Sequence, residues 1–360
     1  MNPVPDTLGR ESTQAALIAA LREVHGARAR LERWTVDPLM KRGKHRVVRY
    51  EIHARVPEPP HVRRCHWVGK FYERDEVGLR VARILGELAR TDCGVRGGFV
   101  IPTVLAYEAS CRLLLLTYQP GESVISAIAQ NGAMVLSAIG RALAALHTAS
   151  IRPDLIASPL AVLEDLRQRI SELRARFPFE RALLRQILDK LERQTPDGPA
   201  TPSFLHGDFG PSQLLWQSGR LVILDFDKYA RGDPAFDLGN LLIQFRRIAL
   251  RKPGKLPEFA PLRGAILEAY RHWSPHDPEL DRRVAWHEQV ALVRKIHFLA
   301  YDLTRRQGAD ALRERQAEAN RLLAQLRTPG AGADVLRGSR PGLAGRSRHG
   351  REPHFDTHAT

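Results

Sequence analysis

FLHGDFGPSQLLW (204–216) and LVILDFDKYARGDPAFDLGNLL (221–242) form the stretch that decides how this chain is read. Two short apolar runs, 213–216 and 221–224, flank a turn over 217–220, and Ser218-Gly219 at its centre suits a tight hairpin. Asp208 and Asp225 stand just outside the two ends of that hairpin, seventeen residues apart. A hairpin of this size returns the chain to its start, so the two carboxylates are predicted to face one cleft.

Upstream, the pattern is β-rich. Val48, Tyr50, Ile52, Ala54 and Val56 alternate with Arg49, Glu51, His53 and Arg55, the period-two signature of a strand. Strands are also predicted over 65–72 (CHWVGKFY), 99–107 and 111–118, and helices over 12–25 and 75–90. After Pro120-Gly121 the chain changes character. Leu136, Ile139, Leu143 and Leu146 put an apolar stripe along 134–150, and helices are predicted at 160–177, at 180–194 and over most of 243–327. From Thr328 the large hydrophobes give way to Gly, Pro, Arg and Ser, which reads as a disordered tail. The predicted organisation is α+β, with a β-rich lobe over 1–118, a mainly helical lobe over 119–327 and a tail over 328–360.

Of the 360 residues 43% are hydrophobic and 26% charged, enough apolar content for a substantial core. The longest apolar stretches, such as 113–116, fall far short of the roughly 18–20 residues that a membrane helix needs. No membrane partner is therefore expected, and an N-terminus lacking a basic-then-apolar leader makes the cytoplasm the expected location. Cys65, Cys93 and Cys111 are too scattered for a disulfide framework or a zinc site. The net charge is +15, yet the arginines that dominate it are spread along the chain and not gathered into one tract. That distribution disfavours a dedicated nucleic-acid site.

The 204–242 block resembles the aminoglycoside phosphotransferase and choline kinase group, relatives of the protein kinases. The catalytic loop of that family runs His-x-Asp-x-x-x-x-Asn, with a metal-binding Asp after a short strand. The matching positions here are His206, Asp208, Gln213 and Asp225. Asp233-Pro234-Ala235-Phe236-Asp237-Leu238 and the Leu-x-x-Leu-His run at 143–147 are similar to the family as well. The resemblance extends over about residues 40–327. It implies a bilobal protein-kinase-like fold, with a small β-rich nucleotide-binding N-lobe and a larger helical C-lobe that carries the catalytic loop and the acceptor site. It also implies an ATP- and Mg²⁺-dependent phosphotransferase whose partner is a small-molecule hydroxyl acceptor. In that scheme Asp208 is the catalytic base, and His206 braces the catalytic loop. Asp225 and Gln213 are the Mg²⁺ ligands, and Asp237 hydrogen-bonds the loop backbone. Lys70, on a strand, would contact the ATP phosphates and pair with a helix glutamate; Glu76 and Glu87 qualify, and Glu76, which begins the helix, is preferred. Tyr118 and Gln119 fall in the hinge that meets adenine, and 40–46 would cover the phosphates.

Two departures from the family pattern matter. Gln213 carries the amide oxygen of the usual Asn one methylene further out, which weakens a metal position that demands near-octahedral geometry. Thr117 stands where the hinge usually has an acidic residue. Both support an alternative reading, a kinase-fold protein with impaired catalysis that binds nucleotide or a partner. A third reading, a basic nucleic-acid-associated protein, rests on the charge and the tail alone. Over 241–300, where the family's acceptor usually sits, eleven Lys and Arg face six Asp and Glu, a net of +5. This favours a neutral or anionic hydroxylated acceptor over a polycation. A choline-like cation would need an aromatic cage, for which Trp273, Trp286, Tyr270 and Tyr301 are available.

Overall fold

The alternation at 48–56 becomes the spine of a five-stranded sheet in the computed structural model, which describes residues 7–40, 46–57, 60–197, 202–301 and 309–327. The first elements are α1 (Thr7–His25), β1 (Arg30–Met40), β2 (Arg46–Pro57), β3 (Pro60–Phe71), α2 (Asp75–Ala89) and α3 (Cys93–Gly97). They are followed by β4 (Phe99–Val100), β5 (Val104–Glu108) and β6 (Leu113–Thr117). The sheet runs β1-β2-β3-β6-β5, every neighbouring pair antiparallel. Val48, Tyr50, Ile52 and Ala54 turn one face toward Leu17 and Leu21 of α1. The four leucines of β6 are buried on both faces. Leu113 and Leu115 join the α1 core, while Leu114 and Leu116 join the core that contains Val81, Ile84, Leu85 and Leu88 of α2. Lys70 is opposite Leu114 in the register, so it lies on the α2 face.

The chain continues through β7 (Glu122–Ser123), α4 (Val124–His147), β8 (Ile156–Ala157), α5 (Pro159–Arg176), α6 (Arg181–Arg193) and β9 (Ser203–Leu205). Then come β10 (Leu214–Gln217), β11 (Arg220–Ile223) and β12 (Ala230–Gly232). Four helices complete the described chain: α7 (Ala235–Arg251), α8 (Phe259–Trp273), α9 (Leu280–Tyr301) and α10 (Ala309–Arg327). The hairpin β10-β11 is the centre of a four-stranded sheet, β4-β11-β10-β7, and a three-stranded sheet β8-β12-β9 lies beside it in the chain path. α4 packs on α8, and α7 on α9. A separate apolar core joins α5, α6, α9 and α10, with Leu166, Leu191, Val293 and Leu322 at its centre. Arginines tie these helices together internally. Arg294 reaches Asp165 at 2.8 Å from α9 to α5, Arg263 forks onto Glu288 at 3.1–3.3 Å from α8 to α9, and Arg247 pairs with Glu318 between α7 and α10.

Several sequence expectations change. The single strand expected over 99–107 is two, β4 and β5, in different sheets; Pro102 between them has no N–H to continue a ladder. The helix expected from 134 begins ten residues earlier, where Ser123 caps it by accepting from the Ser126 N–H, and it kinks at Asn131 (φ −139°, ψ 51°). The short α3 was not anticipated, and β1 was implied only as a strand ahead of the 40–46 segment, with no bounds of its own. β1 is an edge strand interrupted by Pro38, without the clean alternation that marks β2. The tail over 328–360 lies outside the described residues. Among those residues, no helix is long and apolar enough to cross a membrane.

Candidate active site

The hairpin closes through Ser218 and Gly219, both at positive φ (48° and 79°), the two-residue turn that matches the twist of antiparallel strands. Its pairing continues one step past the strands, because the Leu224 N–H donates to the Gln213 carbonyl at 2.9 Å. Gln213 and Asp225 therefore emerge at the same end of the ribbon. Asp225 itself is in the left-handed region (φ 66°), a strained conformation that Asp tolerates better than most residues.

The loop after β9 is fastened to this end from below. His206, fully buried, donates its backbone N–H to Asp237 Oδ2 at 2.7 Å, and Gly207 donates to Asp237 Oδ1 at 2.9 Å. His147 Nε2 lies 3.3 Å from the same carboxylate, and its Nδ1 is 2.9 Å from the Tyr270 hydroxyl. The Asp237 carboxylate can only accept, so Nε2 of His147 donates to it, and burial pushes the Tyr270 phenol far up and keeps its hydroxyl protonated beside Nδ1. The His206 ring crosses to the second loop: Nε2 is 2.9 Å from the Leu224 carbonyl and must donate, while Nδ1 accepts from the Asp208 N–H at 3.4 Å. The ring also packs against Phe226, centroids 4.7 Å apart. Gly207 has φ 82°, and a Cβ there would be 1.8 Å from the Lys228 carbonyl oxygen. The loops at 206–208 and 224–228 thus touch along their backbones, and only glycine permits it.

Five charged side chains meet at this seam: Lys70, Asp208, Asp225, Asp227 and Lys228. Asp208 accepts from Lys228 Nζ at 2.9 Å, with both groups open to solvent. Lys70, only 8% exposed, reaches down from β3 with its Nζ 2.6 Å from Asp225 Oδ1 and 2.6 Å from Asp227 Oδ1. Tyr72 donates its hydroxyl to the same Asp227 oxygen at 2.9 Å. Burial, reinforced by Asp227, pushes the Tyr72 phenol far up and keeps it a donor.

Lys70, His206, Asp208, Gln213 and Asp225 are therefore brought together, but Glu76 is not. It is exposed in the first turn of α2, and Lys70 is not paired with it. The inward face of α2 is Gly78, Val81, Ile84, Leu85 and Leu88, and Glu87 sits off that face, 3.8 Å from Arg83. The helix brings no carboxylate to the lysine. Tyr118 extends the β3–β6 pairing through its N–H to the His66 carbonyl at 3.2 Å, and the Gln119 amide nitrogen donates to Thr117 Oγ1 at 3.0 Å. Residues 41–45 of the expected phosphate-covering segment lie outside the described residues. The aromatic cage does not form: Trp286 and Tyr270 are buried in different cores, and Tyr301 donates to the Glu172 carbonyl. Trp273 lies under Arg141 instead. Asp227, Lys228 and Tyr72 were missed; the acidic-basic run of DFDK was the available signal.

Comparison with known proteins is consistent with this geometry. The model of the phosphotransferase enzyme family matches residues 59–286. Among solved structures, the GDP complex of aminoglycoside 2'-phosphotransferase-IIIa is similar with a TM-score of 0.57 and 13% identity, over 85% of this chain and 97% of that one. A thermostable mutant of aminoglycoside phosphotransferase APH(4)-Ia, in ternary complex with ADP and hygromycin B, is similar with a TM-score of 0.55 and 16% identity, over 87% and 100%. Macrolide 2'-phosphotransferase type I is similar with a TM-score of 0.50 and 18% identity, over 89% and 99%. At such identities the likeness is one of fold. No curated protein matches by sequence.

Proposed function

The chain belongs to the phosphotransferase enzyme family, and from that premise we propose that it transfers the γ-phosphoryl group of ATP to a hydroxyl of a small molecule, with Mg²⁺. The observation that carries this reading is the convergence of Lys70, Asp208 and Asp225 from three separate elements onto one seam. In the proposed reaction the acceptor oxygen bonds to the γ-phosphorus while the bond to the β–γ bridging oxygen breaks. ADP leaves with that electron pair, and the acceptor proton passes to the Asp208 carboxylate. His206, out of reach of any substrate, holds the loop so that Asp208 meets the hydroxyl. Lys70 supplies a fixed positive charge to the phosphates.

Asp225 and Gln213 offer a carboxylate and an amide oxygen at one end of the ribbon, the hard donors that Mg²⁺ takes, so the residues present fit the ion. When bound there, the ion neutralises phosphate charge. Calorimetry tests the reading: ATP is expected to bind in the presence of Mg²⁺, and Asp225→Ala is expected to lose the Mg²⁺-dependent part. ADP release with a panel of hydroxylated acceptors then reads turnover. Failure of the wild type to bind nucleotide under either condition would overturn the proposal.

One observation favours a second reading, nucleotide binding without turnover: Gln213 Oε1 already accepts from the Ser212 hydroxyl at 2.8 Å. If the longer side chain only weakens the metal position, Gln213→Asn should raise kcat by about tenfold, the worth of some 1.4 kcal/mol. It should also lower the Mg²⁺ concentration for half-maximal rate. A drop in kcat would mean that the glutamine is the better ligand in this site. The acceptor is a neutral or anionic hydroxylated molecule, since Lys228 beside Asp208 sets an ammonium where a polycation's own charge would approach.

A further inference from the structure

Lys70 is buried, and a buried ammonium needs a standing counter-charge to hold its orientation. We infer that Asp227, and not a glutamate of α2, is that counter-ion: a positioning residue that aims Lys70 at the nucleotide phosphates. This rests on the proposed nucleotide site and names a further residue in it. Three observations carry it. The inward face of α2 is wholly apolar, Glu76 is exposed, and Glu87 pairs with Arg83. Asp227 Oδ1 takes two donors at once, Lys70 at 2.6 Å and Tyr72 at 2.9 Å, and the buried Tyr72 stays protonated. Finally, the two aspartates that share the ammonium differ in access: the Asp225 side chain is 40% exposed and the Asp227 side chain 13%.

That difference divides the labour. The more exposed Asp225 is the one that a bound group can reach, while the more buried Asp227 keeps Lys70 in place from the protein side. Phe226, between them, is buried against His206, and Tyr229 stacks on Phe204, so the loop that carries both aspartates is anchored at two points. The aim of Lys70 then depends on this loop and on β3, and no movement of α2 is required to complete the site.

The test compares ADP affinity by calorimetry without divalent metal, so that metal ligation makes no contribution, for wild type, Asp227→Asn, Tyr72→Phe and Glu76→Gln. Asp227→Asn is expected to weaken metal-free ADP binding by about 10- to 100-fold, the worth of a charged hydrogen bond, and Tyr72→Phe by a smaller factor. Glu76→Gln is expected to change nothing. A loss in Asp227→Asn that appears only with Mg²⁺ present would make Asp227 a metal ligand and overturn the assignment, as would a loss confined to Glu76→Gln. A nitrogen-15 spectrum of the eight lysine ammonium groups reads the ion pair without any nucleotide. The Lys70 signal should shift or broaden in Asp227→Asn and stay put in Glu76→Gln. If wild type binds no ADP, the nucleotide reading fails, and this spectrum still reports whether the pair exists; an unmoved Lys70 signal would overturn the pair itself.

Discussion

Asp208→Asn is expected to lower turnover by about 10²–10⁴-fold, the range that a positioned proton acceptor contributes, while fold and nucleotide affinity survive. The argument is one of separable roles. The loop is held by the backbone of His206 and Gly207, by the His206 ring and by the glycine contact with Lys228; the Asp208 carboxylate takes no part in any of these. Its one side-chain partner among the described residues is Lys228, whose side chain is 66% exposed. An ion pair in water contributes at most about 1 kcal/mol, so its loss leaves the melting temperature nearly unchanged. Asparagine preserves shape and polarity but does not take a proton. The decisive measurements are kcat with any acceptor that the wild type accepts, the melting temperature, and ATP affinity in Mg²⁺. Turnover within tenfold of wild type would remove Asp208 from the base role. A collapse in melting temperature would show that the carboxylate is structural.

The parts of the site that the sequence displays are those fixed by short-range geometry. A hairpin of eight paired residues forces its flanks together, so Asp208 and Asp225 could be grouped from spacing alone, and the family resemblance added Gln213. The β2 strand was legible for a similar reason: one face is buried under α1, and burial writes a period of two. What stayed hidden depends on which of several chemically equivalent groups the tertiary fold selects. Two glutamates on α2 and two aspartates at 225 and 227 were equally able to partner Lys70. Only the rotation of α2 about its axis, set by Val81, Ile84, Leu85 and Leu88, turns the glutamates away. The charge follows the same logic. A sequence count of arginine cannot separate a basic surface from internal ties, and the structure spends Arg263, Arg283 and Arg294 on buried or half-buried carboxylates between helices. Asp233 illustrates the energetics. Burial disfavours its ionised form, but His287, the Ala235 N–H and Arg283 outweigh it and hold the carboxyl below the ordinary range.

Asp237→Ala is expected to cost about 3–5 kcal/mol of stability, the range for breaking a buried charged network, and to lower the melting temperature by roughly 5 °C. Asp237 is completely buried at the first turn of α7. Its two oxygens accept from two backbone N–H groups and from the His147 ring, so alanine leaves three donors, two of them buried, without an acceptor. Each orphaned buried donor carries a desolvation penalty of about 1–3 kcal/mol. The consequence reaches the chemistry because the two N–H groups belong to His206 and Gly207, immediately before Asp208. Once they are released, Gly207 need not keep the left-handed conformation that seats it on the Lys228 carbonyl, and the loop at 206–208 parts from the loop at 224–228. Turnover measured well below the lowered melting temperature should therefore fall together with stability. In Asp208→Asn the two readouts should separate. His147→Ala removes one donor and leaves the backbone pair intact, so it should destabilise less and retain more activity than Asp237→Ala. Equal losses in the two variants would locate the anchor in the His147–Tyr270 contact, and an Asp237→Ala protein that melts with wild type would show that the catalytic loop is held by something else.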